Sequence, residues 1–159
     1  MYFVGNNNNL NQHKMNDKST VKPPMWFWIV CVIALLWNLI GVSAYLSEAF
    51  MTEDVFATLP EAQQSLYETR PKWVTAAFAI AVWSGLMGSL ALLLKKKWAK
   101  AIFVLSLFGI LLQQLYHCFL SNTFEVMGTT AMILSILIII FGAALVLFAN
   151  FASNRNWLS

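Results

Sequence analysis

The stretch Leu92-Leu93-Leu94-Lys95-Lys96-Lys97-Trp98-Ala99-Lys100 decides the fold. Twenty-odd mostly apolar residues run into it and about twenty more run out. Four lysines stand together with no acid beside them, and such a concentration of charge cannot lie in hydrocarbon. The chain therefore surfaces here between two membrane spans. Short loops rich in Lys and Arg stay on the cytoplasmic side, so this turn also sets the threading of the whole chain.

Composition agrees. Of 159 residues, 59% are hydrophobic and 11% charged, where a soluble domain carries roughly 25% charged residues. One membrane domain is expected. The net charge of +3 belongs to the inner rim of such a protein. No basic run interleaved with aromatics lies outside the membrane, so nucleic acid is not an expected partner. The two cysteines, Cys31 and Cys118, fall near opposite ends of their spans. Their depths differ by roughly 18 Å at ~1.5 Å rise per residue, too far for a disulfide.

Outward from the lysine turn, spans are expected at 26–47, 73–94, 101–120 and 126–148. The fold class is all-α, a four-helix transmembrane bundle with both termini cytoplasmic. Residues 1–25 are polar, carry the run Asn6–Asn9 and read as a disordered tail, with Met15 an alternative start. Pro23-Pro24 is a stiff entry to the first helix. That first span is too long for a signal-peptide apolar core and is taken as uncleaved. Residues 151–159 form a cytoplasmic tail with Trp157 as an interfacial anchor.

Between the first two spans the chain is acidic. Thr58-Leu59-Pro60-Glu61 has the pattern of a capping box with Pro in the first turn. Leu59, Ala62, Leu66 and Tyr67 then recur at helical spacing until Pro71. A short amphipathic helix at the outer surface is expected, a plain linker being the alternative. Charges distribute accordingly: Lys14, Lys18, Lys22, Lys95, Lys96, Lys97, Lys100 and Arg155 inside, only Arg70 and Lys72 outside, with six of seven acids outside. Trp26, Trp28, Trp98 and Trp157 mark the inner belt, Trp73 and Tyr45 the outer.

Ala77, Ala81, Gly85 and Ser89 recur every four residues, a small-residue ridge that admits another helix closely. Polar residues within the spans are few. Asn38 and Gln113 fall ~18 Å and Ser84 ~15 Å from the inner ends, near the bilayer midplane. Gln114, Tyr116 and His117 follow on the third span. These amides and hydroxyls can contact a solute such as a sugar, or they can bond helix to helix, and interhelical bonding is preferred. Trp37 and Trp83 are expected to pack rather than stack on a ligand. His117 lacks a partner for haem or metal and is read as a hydrogen-bonded or pH-responsive group near the outer mouth, facing Glu48. No catalytic set, phosphate-binding Gly loop or CxxC occurs, so neither an enzyme nor any cofactor or metal is expected.

The segments "KPPMWFWIVCVIALLWNLIGVSAYL", "LPEAQQSLYETRPKWVTAAFAIAV" and "LLLKKKWAKAIFVLSL" resemble a family of small bacterial four-helix integral membrane proteins commonly labelled "sugar transporter". The resemblance covers about residue 20 to the C-terminus and implies transport of a small, sugar-like solute. It assigns no residue roles. Four helices enclose little space, so transport requires an oligomer, with Ala81, Gly85 and Ser89 as a candidate contact. The alternative is a non-transporting accessory or partner subunit in the same membrane.

Overall fold

The computed structural model describes residues 21–159. Expectations placed on residues 1–20, among them the Met15 start and the membership of Lys14 and Lys18 in the inner charge set, lie outside the described residues. The described chain is helical, without strands: α1 (Met25–Ala49), α2 (Glu53–Ala57), α3 (Glu61–Glu68), α4 (Lys72–Leu93), α5 (Ala99–Phe119) and α6 (Thr123–Asn154). The helices α1, α4, α5 and α6 are long and apolar enough to cross a membrane. Their shortest, α5, has 21 residues and spans ~32 Å, against a hydrocarbon core of ~30 Å.

Prolines set the helix starts. Pro24, Pro60 and Pro71 occupy the N-cap positions of α1, α3 and α4 in extended conformation. Each has φ fixed near −65° and offers its carbonyl to the first helical amides. Phe27 N–H donates to Pro24 O at 3.1 Å, Gln63 N–H to Pro60 O at 2.8 Å and Val74 N–H to Pro71 O at 3.0 Å. The capping box expected at Thr58 does not form. Thr58 closes α2, its Oγ1 donating to Val55 O at 2.6 Å. The preset φ of Pro60 moves the N-cap of α3 two residues on, leaving Glu61 as the first helical residue.

Two helix ends share one device. Lys95, in left-handed conformation (φ 54°), follows α4, with Lys96 N–H bonded to Ala91 O and Lys95 N–H to Leu92 O. Asn156 (φ 55°) follows α6 in the same way, with Trp157 N–H to Ala152 O and Asn156 N–H to Ser153 O. Both are Schellman caps, which satisfy the last free carbonyls. The second turns the chain back, so that Trp157 and Leu158 are buried, 8% and 0% exposed. Trp157 packs its ring 5.4 Å from Trp26 and 5.6 Å from Phe27. It is thus a core residue, not the interfacial anchor expected of it, because the Schellman cap places its side chain back over the helix end. The last helix likewise runs to Asn154, beyond the expected 148.

Within the bundle α4 is central, packed between α1 and α5, and α6 lies on α5. Accordingly α4 is the most buried span and α6 the least. The small-residue ridge explains the centre. Ala77, Ala81, Gly85 and Ser89 are all buried. A Cβ built on Gly109 of α5 would lie 2.9 Å from Ala77 O and Ala81 N, so the two backbones touch at a glycine. This enclosure corrects the expectation that Ala81, Gly85 and Ser89 could contact a second protomer.

Helices α1 and α6 meet through rings. Trp37 stacks on Phe141 at 4.1 Å, and Phe27 on Phe148 at 5.7 Å. Near its start α6 is interrupted at Gly128 (φ 71°, ψ −165°), a backbone conformation essentially reserved for glycine.

Candidate functional site

Midway along the bundle, α1, α4 and α5 bring their polar groups to one buried junction. Asn38 Nδ2 donates to Ser89 Oγ at 3.0 Å and to Ala34 O at 2.9 Å. Ser89 Oγ donates to Gly85 O at 3.0 Å, and Ser106 Oγ to Ala81 O at 2.6 Å. Gly85 makes room for the amide: a Cβ there would fall 2.0 Å from Asn38 Oδ1. At this junction Asn38, Ser89 and Ser106 are all buried, and the Asn38 amide N–H groups and both serine hydroxyls donate to protein acceptors. Its chemistry is that of interhelical bonding, worth about 0.6–2 kcal/mol per bond in apolar surroundings.

The membership differs from the one expected. Asn38 meets Ser89 of α4 rather than Gln113, and Ser84 turns away to bond Ile80 O within its own helix. Ser89 was legible only as a small residue, and its hydroxyl is what Asn38 uses. Gln113 lies on a separate chain of contacts, its Nε2 3.5 Å from His117 Nε2. His117 Nδ1 is 3.0 Å from Thr123 Oγ1, which is 2.6 Å from Ser121 Oγ. Among the described residues no hydrogen bond joins Glu48 to His117. Glu48 forms an ion pair with Arg70, whose guanidinium also lies 4.9 Å from the Tyr67 ring centre. Burial and the neighbouring Glu48 charge push the Tyr67 hydroxyl above its usual pKa, with Arg70 opposing. Gln114 is buried, and its Oε1 has no hydrogen-bond partner among the described residues.

Tyr116 belongs elsewhere again. At the acidic end of the bundle a groove of about 650 Å³ opens between α3, the start of α4, the end of α5 and the start of α6. Trp73 and Tyr116 form its aromatic corner, edge to face at 5.8 Å and 89°. Tyr116 is 6% exposed, and its hydroxyl takes no hydrogen bond from any described residue. Ser65 and Thr69 on one side and Ser121 and Asn122 on the other add neutral polar groups, and no charged residue lines the groove. Sequence reasoning missed this site because its walls come from segments about fifty residues apart. In sequence Trp73 shows only as a belt residue.

Among the described residues no group of three His, Cys, Asp or Glu side chains is placed to hold a metal ion. Both cysteines are free, Cys31 buried and Cys118 exposed. Trp37 is taken up by its stack on Phe141, and Trp83 is 45% exposed.

Known relatives do not decide the function. Comparison with protein families, curated proteins and solved structures gives no match.

Proposed function

We propose that the chain is a multi-pass integral protein of a bacterial inner membrane, with both termini cytoplasmic, that handles a small neutral, sugar-like solute. Four apolar helices support the membrane placement. The orientation rests on the lysine turn between α4 and α5 and on the acids gathered at the opposite end. The groove at the acidic end, which then faces outward, carries the solute assignment. Its volume lies within the ~300–1,000 Å³ typical of small-molecule sites. An uncharged lining suits an uncharged ligand, and the free Tyr116 hydroxyl, Asn122 amide and Trp73 face suit hydroxyls set on an apolar ring.

Passage across the membrane would have to run between protomers or between this chain and a partner. The interior of one protomer is closed by the Asn38–Ser89 bond and by the α4–α5 contact at Gly109. That closure favours a second function, a non-transporting accessory subunit.

Titration of the purified protein with a panel of neutral sugars and polyols, followed by tryptophan fluorescence, tests the assignment. A saturable change lost in Trp73→Leu and weakened severalfold in Tyr116→Phe is expected. Uptake of the same solute into proteoliposomes separates transporter from accessory. Absence of any saturable change across the panel would leave the accessory function standing.

A further inference from the structure

At the lysine end, three segments distant in sequence are joined by backbone hydrogen bonds. Val21 N–H donates to Asn156 O at 3.1 Å, Ser159 N–H to Lys95 O at 2.6 Å, and Lys97 N–H to Ser159 O at 3.2 Å. These bonds gather Lys22, Lys95, Lys96, Lys97, Lys100 and Arg155 at one end of the bundle. All but Lys95 are exposed. The Asp and Glu side chains of the described residues all lie at the other end, where Glu48 is the only one in a salt bridge.

Among the described residues the side-chain contacts of these cations are neutral. Lys100 Nζ donates to Asn150 Oδ1 at 2.8 Å across the α5–α6 contact, and the Arg155 guanidinium sits 5.1 Å from the Phe151 ring centre. The first turn of α5 contains no acid and no side-chain cap, yet Lys100 stands in it. A helix start favours negative charge, so the local potential is positive from both sources. Trp26 and Trp98, 45% and 46% exposed, lie at the same end. Such rings settle at headgroup depth in a bilayer.

We infer that this end is a docking surface for anionic phospholipid, the cations meeting phosphate and the two tryptophans lying at the interface. The inference rests on the membrane placement proposed above. Charge complementarity selects the partner: a zwitterionic headgroup returns its own positive charge to the surface, whereas an anionic one does not. Each cation near an anionic leaflet contributes about fivefold in partition, the equivalent of about 1 kcal/mol.

The full chain is reconstituted in phosphatidylcholine nanodiscs, with and without a quarter of phosphatidylglycerol, and the lipid held at the protein surface is measured with spin-labelled lipids. Severalfold selection of phosphatidylglycerol is expected, falling as salt rises. In Lys96→Gln/Lys97→Gln/Lys100→Gln the selection should fall most of the way to equal retention while recovery in nanodiscs is unchanged. Equal retention of the two lipids, or selection that survives the triple change, overturns the inference and leaves the membrane placement intact. Failure to enter discs of either composition overturns the placement instead. Protection from thermal unfolding in detergent by inorganic phosphate, as strong as that by phosphatidylglycerol, would overturn the lipid as occupant.

Discussion

The side-chain amide of Asn38 in α1 bonds the hydroxyl of Ser89 in α4 at 3.0 Å, with 51 residues of chain between them. This is a direct polar tie between the first span and the central one. Replacing Asn38 by Leu or Ser89 by Ala should each destabilise the fold by about 0.6–2 kcal/mol. The double variant should cost less than the sum, because the two lose the same bond. Unfolding in mixed micelles measures all three. Strict additivity would mean that the bond contributes nothing.

Gly109 and Gly128 should respond to alanine for different reasons. At Gly109 the added methyl meets the α4 backbone at Ala77 and Ala81, which cannot step aside. Separation of α4 from α5 should cost about 1–3 kcal/mol. At Gly128 there is open space, but φ is 71°, and holding alanine there costs about 1–3 kcal/mol. A crosslink between α4 and α5 should therefore be weakened by Gly109→Ala and unaffected by Gly128→Ala.

Raising the pH should loosen the loop between α1 and α4. Burial and then the Glu48 charge raise the folded-state pKa of Tyr67 above that of an ordinary tyrosine. A raised pKa contributes stability that is complete below the unfolded value and is lost as pH climbs through the folded one. Ultraviolet titration should find Tyr67 ionising late, and Glu48→Gln should bring that ionisation earlier. Proteolysis within 50–71 should accelerate over the same alkaline range.

The two native thiols and one introduced cysteine together report the threading. Cys118 is exposed near the acidic end of α5, and Cys31 is buried at the lysine end. A membrane-impermeant maleimide added to intact spheroplasts should label Cys118 and spare Cys31. A cysteine at Lys96 should react only after permeabilisation. Labelling of position 96 in intact spheroplasts would reverse the orientation.

The spans were legible because hydropathy and lysine clusters act locally. The four expected segments match α1, α4, α5 and α6, apart from the ends of α6. Its extension to Asn154 and the inward turn of Trp157 depend on a left-handed Asn156, which no hydropathy pattern encodes. Partner choice was harder to see. Rise along a helix put Asn38 and Gln113 at one depth, but depth leaves rotation and neighbour order open. With α4 between α1 and α5, Asn38 meets α4 instead. The Tyr116 groove required the fold itself, since Ser65, Trp73 and Asn122 share no periodicity.

Because α1 and α6 join through rings such as Trp37 on Phe141, the order of manufacture matters. Helices laid down in chain order place α1 against α4 first, fastened by Asn38. The Phe27 and Trp37 edge then waits without its mate until α6 is delivered last. Until α6 arrives, that aromatic edge of α1 would face lipid rather than protein.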